Sequence, residues 1–79
     1  MTKQEYEDAL SDFGADVAAG ELTSQQAEAT VLLNGFADTG SCPSSLRAPL
    51  RAVREGTEVP GTAEDVLRVA RDLLVRGEA

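Results

Sequence analysis

Apolar residues recur along most of the chain at spacings of three and four, which is the period of an α-helix. The densest apolar stretch is 29–37. On a helix, one face of this region carries Ala29, Leu32, Leu33 and Phe36, and another face carries Ala27 and Val31. A helix that is apolar on more than one side is typical of the centre of a fold. We therefore expect the flanking helices to pack around this one.

The same spacing, interrupted by clusters of turn-forming residues, predicts an all-α, compact four-helix domain. The helices are expected roughly over 3–19, 24–38, 45–55 and 63–76. Thr2 and Thr23 are each followed three residues later by Glu or Gln, the spacing of a capping box. Ser44 or Ser45 is expected to cap the third helix, Thr62 to cap the fourth, and Gly77 to end it. Pro49 lies inside the third helix, where we expect irregular geometry.

Length and composition favour a single helical domain over 1–79. The chain has three aromatic residues, and its apolar content is mostly Ala, Leu and Val, which suits close helix packing better than a sheet. It has one cysteine, no histidine and no apolar run long enough to span a membrane. We therefore expect no membrane association, and the single thiol favours a reducing cytoplasm.

The net charge of −7 is unevenly distributed. Residues 1–40 contain eight acidic residues against Lys3, whereas the acids and arginines of 41–79 balance. Such a chain is a poor non-specific binder of nucleic acid, because phosphate repels it. The charge favours a protein partner with a basic surface.

Four acidic residues are the first candidate site. Spacings of three, four and four place them on one face of the predicted first helix: Glu5, Asp8, Asp12 and Asp16. Like charges at these spacings cost a few tenths of a kcal/mol each. The cost suggests a partner-binding surface. Three alternatives stay open: neutralisation by arginines from elsewhere in the fold, ordinary solubility, or adaptation to a salt-rich cytoplasm.

Three arginines are the second candidate site. Arg47, Arg51 and Arg54 share one face of the predicted third helix and follow the serines at its start. They suit phosphate contact in a helix-turn-helix-like DNA-binding regulator. The long interval between the second helix and Leu46, the position of Pro49 and the net negative charge argue against this alternative.

No cofactor or metal is expected. The run Asp12–Val17 is similar to the prosthetic-group motif of acyl carrier proteins, but that motif requires a serine where Val17 stands. Asp12, Asp16 and Glu21 lack the spacing of a calcium loop. Cys42 has no histidine in the chain to act as its base, which argues against a catalytic thiol.

The sequence therefore predicts a small, acidic, non-enzymatic protein-binding module. It could be an inhibitor or adaptor that engages a basic, nucleic-acid-binding protein through Glu5, Asp8, Asp12 and Asp16, by analogy with small acidic proteins of viral or mobile-element origin. Besides the DNA-binding alternative, the chain could be a structural or assembly subunit that forms a homodimer or larger oligomer. An apolar face left over after folding would serve that role, either Ala27 with Val31 or Val69 with Val75.

Overall fold

A computed structural model describes residues 1–40 and 42–75 as five α-helices joined by short connections. In chain order these are α1 (Lys3–Ser11), α2 (Gly14–Ala18), α3 (Ser24–Thr39), α4 (Ser44–Glu55) and α5 (Pro60–Leu74). Within the described ranges there is no β-strand. The predicted all-α fold is confirmed, and its four main helices are α1, α3, α4 and α5.

Helix α3 lies at the centre, as its apolar pattern predicts. It contacts α1, α4 and α5, and α4 and α5 also pack against each other. Both of its predicted apolar faces are buried, since Leu32 and Phe36 on one side and Ala27 and Val31 on the other are 2% exposed or less. The core that α3 shares with its neighbours also contains Tyr6, Leu50, Val53, Ala63, Leu67, Ala70 and Leu74.

The predicted first helix is broken, so the expected continuous helix over 3–19 is wrong. Helix α1 ends at Ser11, and α2 begins at Gly14. Between them, Phe13 has φ −97° and ψ 1°, away from helical values, and its N–H donates to the carbonyl of Leu10 at 3.0 Å. The Phe13 side chain packs against the core. This tertiary contact accounts for the break.

Both predicted capping boxes are present. The Glu5 N–H donates to Thr2 Oγ1 at 3.1 Å, and the Thr2 N–H donates to Glu5 Oε1 at 2.8 Å. Thr23 and Gln26 form the same reciprocal pair at 2.9 and 3.1 Å. The hydrogen bonds from Thr2 lower the pKa of the Glu5 carboxyl below its usual range. The Glu5 carboxylate thus forms part of the N-terminal cap of α1.

The other two helix starts differ from expectation. Helix α4 is capped by Pro43 rather than by a serine, without a side-chain hydrogen bond, and it continues through Pro49. Helix α5 begins at Pro60, not after Thr62, because proline suits the first turn of a helix: its fixed φ is helical and an amide there lacks a partner anyway. The predicted end of this helix at 76 and the role of Gly77 lie outside the described residues.

Helix α5 exposes part of its apolar surface. Leu67, Ala70 and Leu74 are buried, whereas Leu73 is 46% exposed and Val69 is 44% exposed. These two side chains lie one turn apart on the outer side of the helix. No helix in the described ranges is both long and apolar enough to cross a membrane.

Candidate functional site

A groove lies between α3 and α4 and is here called the arginine groove. It has a volume of about 510 Å³. Its lining comes from α3, the connection and α4: Leu33, Asn34, Phe36, Ala37, Gly40, Cys42, Arg47, Arg51, Arg54 and Glu55. The structure therefore brings all three candidate arginines to one concave surface.

The three arginines form the basic wall of this groove. Arg47, Arg51 and Arg54 are exposed, and within the described part of the chain none of them lies within ion-pair distance of a carboxylate. Two other arginines do have acidic partners, which are Asp65 for Arg68 at 3.1 Å and Glu28 for Arg71 at 3.3 Å. The wall thus carries three arginines without an ion-pair partner in the described chain, and Glu55 is the acidic residue among those that line the groove.

The stability of α4 explains the position of only one of these three arginines. Arg54 lies in the last turn of α4, where a cation is stabilised by the negative end of the helix dipole. Arg47 lies in the N-terminal half, where the dipole opposes a cation, and Arg51 is a like charge within one turn of both. The positions of Arg47 and Arg51 therefore favour an external anionic partner.

The floor of the groove, which α3 supplies, is apolar except for the exposed Asn34. Leu33 is half-buried and Phe36 is buried, whereas Ala37 is exposed on the next turn of α3. Cys42 is half-buried at one end, where its Sγ lies 3.6 Å from the carbonyl oxygen of Pro43. A basic wall beside an apolar floor can hold a partner that combines acidic and apolar groups.

Two local features hold α4 against α3. Gly40 ends α3 in the left-handed conformation, with φ 65°, which lets the chain turn directly into the connection before α4. At the other end of the groove, Gln26 Nε2 donates to the carbonyl oxygen of Arg54 at 3.2 Å. The N-terminal turn of α3 therefore fixes the last turn of α4.

The acidic candidate residues do not share one helix face. Glu5 and Asp8 lie on α1, Asp12 follows its last residue, and Asp16 lies on the separate helix α2. Asp8 accepts a hydrogen bond from Gln4 Nε2 at 2.8 Å, and Asp16 is half-buried. Neutralisation by arginines was one of the alternatives left open by the sequence, and ion pairs between these acids and the α4 arginines are absent from the described residues. Partner binding by these acids stays a prediction, without the continuous stripe that motivated it.

A polar cluster that the sequence did not reveal connects three helices. Tyr6 Oη on α1 donates to Glu28 Oε1 on α3 at 3.0 Å, and the same oxygen accepts from Arg71 on α5 at 3.3 Å. Burial and the Glu28 carboxylate raise the pKa of the Tyr6 phenol well above its usual value, while Arg71 acts in the opposite direction. The Glu28 side chain is 22% exposed and has both partners, so this cluster is structural.

The apolar faces proposed for assembly are only partly available. Ala27 and Val31 are buried in the fold, and Val75 packs against the core. Val69 stays exposed, and its exposed neighbour is Leu73 rather than Val75. An assembly surface on α5 therefore uses a different pair from the one predicted.

Comparison of the chain with protein-family models, curated proteins and solved structures finds no match. Among the residues that the structure describes, no group of three or more His, Cys, Asp or Glu side chains is placed to hold a metal ion. The arginine groove is the concave surface that gathers three of the candidate site residues, and its guanidinium groups are chemically suited to anionic groups.

Proposed function

We propose that this chain is a small, non-enzymatic protein-binding module that holds an acidic protein surface in the arginine groove. The observation that carries the proposal is the set of three exposed arginines on α4 without an acidic partner in the described chain. Arginine suits protein interfaces, because its planar guanidinium binds carboxylates with two parallel hydrogen bonds and is weakly hydrated. Binding through this surface would allow the module to act as an adaptor or inhibitor.

The partner proposed here differs in charge from the basic partner expected from the sequence. Net charge favours a basic partner at long range, but at physiological salt charges are screened beyond about 8 Å. The local surface then dominates recognition. Helix α1, which carries Glu5 and Asp8, packs on α3, and neither residue lines the groove, whereas α4 supplies the arginine wall. A reducing cytoplasm is the compartment we propose, on the basis of the single cysteine.

A capture experiment with matched charge variants tests the proposal. The wild-type chain, the Arg47→Gln/Arg51→Gln/Arg54→Gln variant and the Asp8→Asn/Asp12→Asn/Asp16→Asn variant would each be immobilised and exposed to host lysate. All six side chains are at the surface or half-buried, so both variants should fold, as circular dichroism would verify. Captured proteins would be identified by mass spectrometry and their binding repeated with purified components by calorimetry.

The two variants give opposite outcomes for the two surfaces. Our proposal requires a partner that binds the wild type and the asparagine variant but not the glutamine variant. A partner that is lost only from the asparagine variant would instead establish the acidic residues as the site. Equal binding to all three chains would refute both charged surfaces.

A second candidate function, DNA binding, is favoured by one observation. Helix α3 ends at Thr39 and α4 begins at Ser44, so four residues connect them, and α4 is continuous through Pro49. A helix-turn-helix connection is of this length, so two of the objections based on sequence do not hold. The net charge of −7 still opposes binding to a duplex. A gel shift at low salt tests this function, and a shift that requires the three arginines and weakens steeply with salt would support it.

A further inference from the structure

Helix α5 carries a surface whose layout matches the arginine groove. This surface, here called the α5 outer face, consists of Asp65, Val69, Asp72 and Leu73. Val69 and Leu73 are 44% and 46% exposed, and the Asp65 side chain is 69% exposed. Their positions on a helix place the two apolar residues beside an edge formed by the two aspartates. Asp65 also pairs with the exposed Arg68 at 3.1 Å, so Asp72 is the aspartate of this face without an ion-pair partner in the described chain. The α5 outer face thus combines two acids, one of them in a surface ion pair, with apolar groups.

The charge spacing of the two surfaces is the same. Asp65 and Asp72 are seven residues apart on α5, and Arg47 and Arg54 are seven residues apart on α4. On a helix, seven residues make about two turns and about 10.5 Å of length. When the two helices lie alongside each other, Asp72 can therefore meet an arginine of the groove directly. Asp65 can meet another by exchanging its exposed ion pair with Arg68, since such surface pairs contribute little to stability. Val69 and Leu73 would then approach the apolar floor near Leu33 and Ala37.

We infer that the arginine groove of one copy binds the α5 outer face of a second copy of this chain. The inference rests on the proposed function, since it names the acidic surface that the groove holds. One contact would neutralise the arginine wall and cover the two exposed apolar side chains of α5. Helix α1 is a poorer occupant, because Tyr6 and Leu10 on its apolar side already pack against the core.

This contact joins two different surfaces of the same chain. Such a heterologous contact either closes into a ring or continues as an open chain, unlike a two-fold contact between identical surfaces. In an open assembly, the copy at one end would have a free groove and the copy at the other end would have a free α5 outer face. Self-association should therefore increase with concentration and proceed beyond the dimer unless a ring closes.

Analytical ultracentrifugation of the full chain in about 0.15 M salt, where long-range repulsion between acidic copies is screened, tests this inference. A reducing agent would exclude disulfide dimers through Cys42. The test variants are Arg51→Glu in the groove and Asp72→Arg on α5, both at exposed helical positions. Each variant alone should weaken self-association by about tenfold or more, because it places like charges in contact.

Asp8→Arg on α1 is the matched control for Asp72→Arg. Both changes make the net charge less negative by the same amount, which by itself favours association of acidic chains. The inference requires Asp72→Arg to weaken association in spite of this effect, whereas Asp8→Arg should leave association unchanged or strengthen it. A merely electrostatic effect of net charge would act in the same direction in both variants.

A mixture of the two test variants gives the decisive outcome. The Asp72→Arg chain keeps an intact groove and the Arg51→Glu chain keeps an intact α5 outer face, so the mixture should form a heterodimer that neither forms with itself. Failure of the mixture to associate would overturn the inference, as would self-association that survives in either variant. A wild-type chain that stays monomeric at all concentrations would also overturn it. The proposed function would then be tested by the lysate capture alone.

Discussion

Tyr6 Oη lies 3.0 Å from Glu28 Oε1 and donates a hydrogen bond to it. This bond joins α1 to the central helix α3, and Arg71 extends the connection to α5. Because α1 contributes few buried residues besides Tyr6, this polar contact is a principal tie between the N-terminal segment and the rest of the fold.

Replacing Tyr6 with phenylalanine should destabilise the fold moderately. The Tyr6→Phe change keeps the buried ring but removes the bond to a charged acceptor, so we expect the free energy of unfolding to fall by about 1–2 kcal/mol. Urea denaturation followed by circular dichroism measures this change. Glu28→Gln and the double variant complete a cycle, and additive effects in that cycle would show that the phenol and the carboxylate do not interact.

The same phenol predicts a loss of stability at alkaline pH. The pKa of Tyr6 is raised in the folded state by burial and by Glu28, so the folded chain retains a proton that the unfolded chain releases above about pH 10. Its contribution to stability is complete below that pH and is lost as the pH rises further toward the folded-state pKa. Urea denaturation over a pH series should show a decline in the wild type that is smaller in Tyr6→Phe.

The chain offers a direct spectroscopic check of this interpretation. Tyr6 is the only tyrosine and there is no tryptophan, so the ultraviolet absorbance of phenolate reports on one group. Glu28→Gln should shift its titration to lower pH than in the wild type. A titration near the ordinary value in the wild type would contradict the predicted burial and charge effects.

Gln26 should hold the last turn of α4, at one end of the arginine groove, against α3. Gln26→Glu keeps the acceptor that caps α3 but replaces the amide donor that binds the Arg54 carbonyl with a negatively charged oxygen. We expect the free energy of unfolding to fall by about 1 kcal/mol or more, because the carbonyl loses its donor and faces a like partial charge. Thermal unfolding would measure the loss. Unchanged stability would mean that this bond does not hold α4 in place.

Gly14 and Gly40 should respond oppositely to substitution by alanine. A Cβ at either position would have no atom within 4 Å, but Gly14 lies in α2 whereas Gly40 has φ +65°. Gly14→Ala should raise the free energy of unfolding by about 0.4–1 kcal/mol by restricting the unfolded chain. Gly40→Ala should lower it by about 1–2 kcal/mol, because the left-handed conformation strains a residue with a Cβ. Chemical denaturation of both variants compares them directly, and a loss of stability in Gly14→Ala would imply that the break before α2 needs glycine.

Local sequence signals predicted the helix starts correctly where no second signal competed with the first. The capping boxes at Thr2 and Thr23 depend on residues three apart, so spacing alone identified them. At the start of α5, Pro60 and Thr62 are competing local signals, and the earlier one prevailed. The break near Phe13 has no strong local signal besides Gly14, because it depends on packing of the Phe13 ring against the core.

Residue spacing predicted the two charged sets only in part. The helical period correctly placed Arg47, Arg51 and Arg54 on one face, but it also placed Asp12 and Asp16 in line with Glu5 and Asp8 across a helix that is in fact broken. Whether a charged side chain has an ion-pair partner depends on helices distant in the chain. Residue spacing therefore identified both the arginine set and the acidic set, but it did not show which side chains have partners within the fold.

By itself the sequence determined the all-α class, the central position of α3 and two of the helix caps, since each depends on periodicity or on residues within one turn. Only the tertiary structure decided that Glu28 meets Tyr6 and Arg71, from which it is separated by 22 and 43 residues. The tertiary structure likewise placed the apolar floor of α3 beside the arginines of α4 and left Val69 and Leu73 exposed. Helix packing determines these features, because the rotation of each helix about its axis selects which polar groups meet and which apolar groups stay at the surface.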